Sequence, residues 1–345
     1  MKVVTIKEPG KLEIVEAKKP AIGPYQALVK TEKVAICNAT DGKLLSGHFP
    51  GVDKYPLVLG HEGCGIVEAV GEKVRNFNIG DRVIGGLNFD FSDIRHESGW
   101  GGFGEYTLAN DHDAMVVDGV ANEENGWFEV YEIQRTVDNA VPVNEAVMLC
   151  TWREVLGAFG DFNITKGDKI LIYGAGPVGL SFVKFAKLLG IEWIGVVDPL
   201  LDKRKKALEM GAKKVFDPAT DELDAFISDS RFKFDKIIDA VGKPAIINAA
   251  LPMIKMGGSV CVYGVIGDEE ILLKKVIGPY NFSLLIHQWP TRWREKEAQG
   301  LLTNWIKEGK LSASEFVTHE MPITQIGEAF SLVKSGAVIK CLLYF

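Results

Sequence analysis

The sequence predicts a two-domain protein in which an all-β part is followed by an α/β part built around a parallel sheet. The chain has 345 residues, which is more than one compact core usually holds. Residues 1–144 contain short strand-like segments separated by glycine, proline and aspartate, whereas strands and helical patterns alternate from residue 145 onward. Such alternation indicates βαβ units whose parallel sheet is covered on both faces.

Short strands make up the first part. Apolar or alternating runs bounded by turn residues predict them at 3–6, 12–15, 27–34, 65–70, 82–86 and 104–108. This spacing is typical of a small barrel. Residues 118–144 are less regular, and we interpret the segment WFEVYEI as either an extra hairpin or a covering loop.

In the second part, strand-like and helix-like spacings of apolar residues alternate. Strands are predicted at 169–173 (KILIY), 193–197, 214–216, 236–240 and 259–264, with helices at 179–189 and 202–210. After residue 282 the pattern becomes irregular and ends in VIKCLLYF, a strand without a local partner that we expect to return to the first part. The predicted domains are therefore 1–144 with 282–345, and 145–281.

Composition excludes several classes of partner. The formal charge is −7, from 39 basic and 46 acidic residues, and no basic run suits a nucleic acid. No apolar stretch reaches the roughly 18–20 residues that span a bilayer, so no membrane partner is expected. The N-terminus lacks the apolar segment of a signal peptide, which favours a cytoplasmic protein. The five cysteines form no CxxC pair, so we expect free thiols or metal ligands.

The motif GAGPVG, residues 174–179, follows a predicted strand and begins a predicted helix. Gly174 suits the tight turn, Gly176 allows the backbone to approach a pyrophosphate, and Gly179 allows the helix to pack closely on the strand. Pro177 and Val178 begin the helix, whose N-terminal N–H groups and dipole attract phosphates. A dinucleotide site is the prediction.

Asp198 stands about twenty residues further on, at the end of the next strand. A carboxylate there accepts hydrogen bonds from the ribose hydroxyls of NAD and repels the additional phosphate of NADP. Lys203 and Arg204 are cations that suit that phosphate, yet the acid favours NAD. Val241 and Val265 follow later strands and are predicted to contact the cofactor, because ligands bind at the carboxyl ends of parallel strands.

An ionisable pair, His61–Glu62, lies in the apolar run LVLGHEGCGIV. Imidazole and thiolate are the usual zinc ligands, and Cys37 and Cys150 are candidate partners of His61. Cys37 follows a strand and is predicted to begin a helix, whose dipole favours a thiolate. Cys64, between two glycines, is interpreted as buried packing. Spacing alone does not decide which of these residues converge.

Three motifs together resemble a known family. They are GHEGCGIVEAVG at 60–71, GDRV at 80–83 and the GxGxxG unit at 174–179. In this combination the chain resembles, over essentially its whole length, the zinc-dependent medium-chain dehydrogenase/reductase family of alcohol and polyol dehydrogenases. The resemblance implies a GroES-like β-barrel catalytic domain and a Rossmann domain with a doubly wound parallel sheet. It also implies an active site in the cleft between them.

Residue by residue, the resemblance makes Cys37, His61 and Cys150 the ligands of one catalytic Zn²⁺. Glu62 matches a neighbouring glutamate that supports the site or serves as an alternate ligand. Many members also bind a structural zinc through four closely spaced cysteines. Residues 87–102 of this chain contain no cysteine, so a four-thiolate site is excluded there.

Two departures from the family pattern concern catalysis. The family usually places a hydroxyl two residues after the first cysteine, but here CNATD (37–41) places Thr40 one residue later. Thr40 is the candidate for proton relay. Glu154 lies one helical turn beyond Cys150, and we weigh two roles for it: contact with substrate, metal-bound water or nicotinamide, or a salt bridge to Arg153.

The resemblance implies hydride transfer between a secondary alcohol and NAD. Polar candidates favour a polyol or sugar alcohol: Glu154, Arg153, Asn38 and His48. Aromatic candidates would instead favour a simple or aromatic alcohol: Trp152, Trp289 and Trp293. A zinc-free NADPH reductase and a non-catalytic dinucleotide-binding protein are weaker alternatives. A homodimer or homotetramer is expected through nucleotide-domain sheet edges near residues 259–266.

Overall fold

The computed structural model describes residues 1–91, 93–230, 232–268, 270–289 and 291–345. The strands are β1 (Lys2–Glu8), β2 (Lys11–Glu16), β3 (Gln26–Ala35), β4 (Leu57–Val58), β5 (Gly63–Val70), β6 (Arg82–Ile84), β7 (Glu97–Ser98), β8 (Tyr106–Asn110), β9 (Arg135–Val137), β10 (Lys169–Tyr173), β11 (Trp193–Val197), β12 (Lys214–Phe216), β13 (Phe234–Asp239), β14 (Ile254–Val262), β15 (Ser283–Ile286), β16 (Val317–Pro322) and β17 (Lys340–Tyr344). The α-helices are α1 (Asp41–Ser46), α2 (His112–Val117), α3 (Val143–Asp161), α4 (Pro177–Leu188), α5 (Leu201–Met210), α6 (Glu222–Ser230), α7 (Pro244–Ala250), α8 (Arg292–Lys307) and α9 (Ile326–Ser335).

The chain divides into two units. Unit 1 comprises Met1–Arg153 and Gln299–Phe345, and unit 2 comprises Glu154–Ala298. These boundaries lie later than the predicted ones, for two reasons. Helix α3 continues through residue 153, and β15 pairs with β14, which places residues beyond 281 in the parallel sheet.

Unit 1 contains the predicted β-rich part together with short helices. One sheet has the order β2-β1-β4-β7, and the other has the order β16-β17-β3-β5-β6-β9, with β8 also paired to β3. Strand β17 pairs antiparallel with β3, which confirms that the C-terminal strand returns to the first part. A Cβ atom at Gly65 would lie 2.1 Å from the carbonyl oxygen of Lys30, so only glycine permits the close approach of β5 to β3.

Unit 2 is the α/β part. Its strands are parallel in the order β12-β11-β10-β13-β14-β15, and the predicted strands of this region all belong to the sheet. Helix α4 buries Phe182 and Phe185, because its apolar residues recur at helical spacing. The chain runs outward from β10 to β12, then returns to the centre and continues outward on the other side from β13 to β15. The direction of strand addition therefore reverses between the neighbouring strands β10 and β13. Such a reversal is where doubly wound sheets bind ligands.

The structure decides one open alternative and differs from one expectation. The segment at 118–144 contains two 3₁₀ turns, Glu123–Asn125 and Glu129–Ile133, followed by β9, which pairs with β6. It is therefore a covering loop, with Tyr131 buried, rather than a hairpin. The region beyond 282, expected to be irregular, contains two long helices, α8 and α9. Within the described residues, no helix is both long and apolar enough to cross a membrane.

Candidate metal and dinucleotide sites

Three potential metal ligands of unit 1 converge. Cys37 lies in the turn between β3 and α1, whereas His61 and Glu62 lie between β4 and β5. One ligand atom from each residue, the Sγ in the case of Cys37, lies within 4.8 Å of the other two. Among the described residues, these three form a group that could hold a metal ion. A thiolate, an imidazole and a carboxylate are all ligands that zinc accepts.

The imidazole of His61 lies beside the Asp41 carboxylate. Its Nδ1 lies 3.6 Å from Asp41 Oδ1, and its Nε2 lies 3.9 Å from Glu62 Oε1. The other Asp41 oxygen accepts a hydrogen bond of 2.8 Å from the backbone N–H of Cys37. Burial raises the pKa of Asp41 to about 6. A carboxylate behind a histidine fixes the ring, which leaves Nε2 to face the ligand group.

Glu62 is held by a buried hydroxyl and a buried ammonium. Its Oε2 accepts hydrogen bonds from the Thr151 hydroxyl, at 2.9 Å, and from Lys340 Nζ. Lys340 also donates to Thr151 Oγ1 at 3.2 Å, and all three side chains are at least nine-tenths buried. Burial acts to raise the pKa of Glu62, but attraction to Lys340 and His61 outweighs it, and the pKa is lowered. Glu62 is therefore a carboxylate whose Oε1 faces His61.

The third predicted ligand, Cys150, is not in this group. Its thiol approaches the carbonyl oxygen of Gly63 at 3.7 Å, while the next residue, Thr151, contacts Glu62. Successive side chains on an α-helix point about 100° apart, so a helix that directs Thr151 at Glu62 turns Cys150 to a different direction. We therefore propose Cys37, His61 and Glu62 as the ligand set in place of the predicted one.

The environment of Cys37 also differs from the expected one. Helix α1 begins at Asp41, four residues later, so the thiol does not lie at a helix start. Burial, followed by the charge of Glu62, raises its pKa to about 12. A metal ion must displace the thiol proton, as in other thiolate sites. Cys64 is buried and approaches the carbonyl oxygen of Val143 at 3.8 Å, as expected for a packing residue.

The residues present fit a zinc ion. They supply sulfur, nitrogen and oxygen donors, two of which are anionic in the bound state. Among the described residues, His61 Nδ1 and Asp41 Oδ1 are buried atoms without a hydrogen bond of normal length. Metal binding at Nε2 leaves the proton on Nδ1, which strengthens the interaction with the Asp41 carboxylate. A cation would also offset the negative charge that Asp41, Glu62 and an ionised Cys37 place around one Lys340 ammonium.

Several other predicted residues have structural partners instead. Arg153 is fully buried and donates to the carbonyl oxygens of Leu149 and Ile133. Trp152 is fully buried edge-on against Phe316. Trp289 and Trp293 are about half exposed in unit 2.

The two remaining catalytic candidates lie in different units. Thr40 precedes α1, is half-buried, and makes no capping hydrogen bond with its side chain. Glu154, in unit 2, accepts a hydrogen bond of 3.4 Å from the Tyr263 hydroxyl. Catalytic roles for Thr40 and Glu154 stay predictions.

The glycine motif of unit 2 forms an open loop. Gly174 has a φ of +96°, and α4 begins at Pro177 with Gly176 as its N-terminal cap. A Cβ atom at Gly179 would lie 1.8 Å from the carbonyl oxygen of Gly174, which explains the close packing predicted there. At Gly176 no atom lies within 4 Å of a Cβ position, so the backbone N–H groups remain accessible to a phosphate.

Asp198 braces this loop. The carboxylate is buried at the end of β11 and accepts hydrogen bonds from the N–H groups of Ala175, at 2.7 Å, and Leu200, at 2.8 Å. Arg204 donates to the carbonyl oxygen of Asp198 and forms an ion pair with Asp217 at 2.9 Å. Its guanidinium is thus engaged by a carboxylate, which lowers its capacity for a 2′-phosphate, while Lys203 is half-buried on the same helix.

Two later loops meet at the carboxyl end of the sheet. Gly242 has a φ of +83°, and a Cβ atom there would lie 2.4 Å from the carbonyl oxygen of Val265. Asp239 fixes the first of these loops by accepting hydrogen bonds from the N–H groups of Val241 and Gly242, both at 2.8 Å. Val241 is 42% exposed at this edge. Both valines lie where parallel sheets bind ligands.

Sequence reasoning missed Asp41, Thr151 and Lys340 as members of the site. A signal existed for Lys340, since it is a lone cation in the apolar strand VIKCLLYF, as His61–Glu62 is an ionisable pair in an apolar run. Burying a charge without a partner is costly, so these two segments were candidates for each other. Thr151 gave no such signal.

The chain matches two family profiles, the alcohol dehydrogenase GroES-like domain over residues 23–119 and the zinc-binding dehydrogenase over residues 177–295. It is 26% identical to a sorbitol dehydrogenase of Halalkalibacterium halodurans, across 97% of this chain and 96% of the relative. An Escherichia coli protein, described as a short chain alcohol dehydrogenase (rspB) and crystallised with NADH, superposes with a TM-score of 0.79, 23% identity and coverage of 100% and 99%. A Sinorhizobium meliloti protein bound to NADP superposes with a TM-score of 0.81 and 21% identity. The match covers 100% of this chain and 99% of that protein.

The two structural likenesses show the fold, and the two profiles cover both units that carry the candidate sites. The three candidate metal ligands all lie within the residues matched by the first profile. Helix α4, which follows the glycine motif, begins at the first residue matched by the second profile. The chain belongs to the zinc-dependent medium-chain dehydrogenase/reductase family.

Proposed function

We propose that this protein transfers hydride between a secondary alcohol and NAD at a zinc site held by Cys37, His61 and Glu62. The observation that carries the proposal is the convergence of these three ligand atoms within 4.8 Å, with Asp41 behind His61. Bound zinc acts as a Lewis acid that lowers the pKa of an alcohol. The sequence favours a polyol substrate, with a simple or aromatic alcohol as the alternative, and one relative is a sorbitol dehydrogenase.

The chain's own residues divide the remaining work. Asp41 fixes the ring of His61, and Lys340 with Thr151 fixes the carboxylate of Glu62. Thr40 is the proposed first acceptor of the alcohol proton. For the cofactor, the GAGPVG loop would receive the pyrophosphate and Asp198 the ribose. An NADH complex of one structural neighbour and an NADP complex of another are compatible with either nucleotide, and Asp198 favours NAD.

The direct test measures metal content and alcohol oxidation together. Purified protein is analysed for zinc and assayed with secondary alcohols, polyols and sugar alcohols, with NAD and NADP side by side. We expect one zinc per chain and a higher kcat/KM with NAD. A metal-free protein that reduces quinones or activated alkenes with NADPH would replace the proposal by the zinc-free reductase. Zinc-loaded protein that is inactive with every alcohol would favour the non-catalytic alternative.

A pair of Asp198 variants separates nucleotide choice from loop support. Asp198→Asn keeps an oxygen for the Ala175 N–H but loses the charge, so the NADP-to-NAD ratio of kcat/KM should rise about tenfold or more with little change in Tm. Asp198→Ala should also lose about 1–2 kcal/mol of unfolding free energy, because a buried N–H is left without its acceptor. If neither variant changes the ratio, Asp198 does not select the nucleotide.

We also propose that two copies of the chain associate through the edge of the parallel sheet. The edge strand is β15 rather than the predicted 259–266 region, which lies in and beyond the inner strand β14. Apolar residues in the segment that precedes β15 are strongly exposed, with Val276 at 94% and Tyr280 at 89%. An open strand edge with apolar neighbours is a template for pairing with another chain.

Val276→Asp combined with Tyr280→Lys should therefore shift the protein from dimer or tetramer toward monomer. Light scattering coupled to size-exclusion chromatography measures the mass. Val117→Asp is the matched control, since Val117 is 77% exposed in unit 1, and it should leave the mass unchanged. A wild-type protein that is monomeric at micromolar concentration contradicts the proposed association.

A further inference from the structure

Trp100 has a backbone conformation that bulky residues rarely adopt. Its φ is +71°, in the left-handed region, within the segment SGWGG at 98–102. A left-handed conformation costs roughly 1–2 kcal/mol for a residue with a Cβ atom. Such strain persists only where the surrounding structure imposes it, and it is concentrated at functional sites.

Close backbone contacts impose this conformation. The N–H of Gly102 donates to the carbonyl oxygen of Gly60 at 2.7 Å, and a Cβ atom at Gly102 would lie 2.7 Å from that oxygen. A Cβ atom at Gly101 would lie 2.1 Å from the carbonyl oxygen of Asn88. The N–H of Asn88 in turn donates a hydrogen bond of 3.0 Å to the carbonyl oxygen of Trp100. The segment is thus fixed directly against Gly60, the residue before His61.

The result is an aromatic wall beside the candidate metal ligands. The centroid of the Trp100 ring lies 5.6 Å from the imidazole of His61, with 60° between the planes. Phe49 packs edge-on against Trp100 with centroids 5.7 Å apart. Both Trp100 and Phe49 are half-buried, so part of this apolar surface stays accessible next to His61.

We infer that Trp100 positions the substrate by contacting the group attached to its carbinol carbon, and that it favours an apolar or aromatic group there. This inference rests on the proposed function and selects the substrate class within it. Glycine would satisfy this backbone without strain, and the ring is held in place by packing against a buried apolar cluster that includes Ile6 and Val34. Arg153 was one of the polar residues that the sequence suggested for binding a polyol. Its guanidinium donates buried hydrogen bonds to backbone carbonyl oxygens.

Trp100→Ala and Trp100→Phe, compared with wild type, test the contact with 1-phenylethanol and sorbitol as probes. For Trp100→Ala we expect a rise of about tenfold in KM for 1-phenylethanol with a smaller change in kcat, because an aromatic contact contributes about 1 kcal/mol beyond the apolar area that it buries. Trp100→Phe should retain most of the wild-type value. The change for sorbitol should stay within about threefold.

A binding measurement keeps the test independent of turnover. The Kd of acetophenone for zinc-loaded protein with NADH should also rise about tenfold in Trp100→Ala, whereas Phe128→Ala should leave it unchanged. Phe128 is a control in the same unit that is 49% exposed and packs on Phe89 instead. If wild type oxidises no alcohol but the Kd shift is observed, the proposed function fails and the contact stands.

Zinc content and thermal stability exclude a structural explanation. All Trp100 variants should retain zinc, and Trp100→Gly should have a higher Tm than Trp100→Ala because glycine relieves the positive φ. Loss of zinc in Trp100→Ala, or an equal loss of affinity for 1-phenylethanol and sorbitol, would overturn the inference. So would wild-type affinity for acetophenone in Trp100→Ala.

Discussion

His61→Ala is expected to abolish zinc binding and to lower kcat/KM for alcohol oxidation by far more than 100-fold. Removing a residue that only supports a ligand typically costs 10–100-fold in metal affinity or activity, and a ligand itself costs more. Glu62→Gln should also release the metal, because Glu62 supplies the third ligand oxygen beside Cys37 and His61. Elemental analysis of the purified variants and steady-state kinetics measure the two effects.

Cys150→Ala is the decisive control for this ligand set. The Cys150 thiol approaches the Gly63 carbonyl oxygen and is not in the converging group, so the variant should keep zinc and most of its activity. Its loss of packing should be modest, since a thiol is small. If Cys150→Ala loses zinc while Glu62→Gln keeps it, the ligand set implied by the family resemblance is right. The proposed set with Glu62 as third ligand is then wrong.

Lys340→Met is expected to lower the free energy of unfolding of the metal-free protein by about 3–5 kcal/mol. Breaking a buried ion pair from one side leaves the other charge uncompensated, and that desolvated charge accounts for most of the cost. Here the charge left behind is the Glu62 carboxylate, which would retain the Thr151 hydroxyl as a hydrogen-bond donor. Chemical denaturation of metal-free protein measures the change.

Two comparisons make the Lys340 result specific. Lys334→Met, at an exposed position of α9, should change the unfolding free energy by less than about 0.5 kcal/mol. The double variant Glu62→Gln with Lys340→Met should be more stable than Lys340→Met alone, because no charge remains buried without its partner. Equal destabilisation of the double variant and Lys340→Met would show that the lysine acts through packing and not through its charge.

Local patterns predicted the parts of this protein whose chemistry is contained in a short segment. The GAGPVG turn and Asp198 could be placed because a strand, a turn and a helix start follow one another within about thirty residues. His61 and Glu62 stood out because an ionisable pair in an apolar run demands a partner. The C-terminal strand was assigned to unit 1 because no local partner was predicted for it. Strand β17 does pair with β3, and it also pairs with the nearby strand β16, which was not predicted.

Contacts between distant segments were not predictable in the same way. Glu62 and Lys340 are separated by 278 positions, and no local pattern reports which buried charges meet. The choice between Cys150 and Thr151 depends on the rotation of α3 about its axis, where one residue changes the direction of a side chain by about 100°. The positive φ of Trp100 depends on backbone contacts to residues 60 and 88, because neighbouring glycines permit many conformations.

Residue types and their periodicity were enough to predict two units, a glycine-rich loop between a strand and a helix, and an ionisable pair that needs a partner, because hydrophobic spacing and turn chemistry act over a few residues. Tertiary packing decided that a carboxylate, and not the Cys150 thiol, lies with Cys37 and His61, that a lysine pairs with this carboxylate, and that a tryptophan lies beside the histidine. These features need several remote segments to be brought within about 4 Å, and the free energy of that arrangement belongs to the folded chain as a whole.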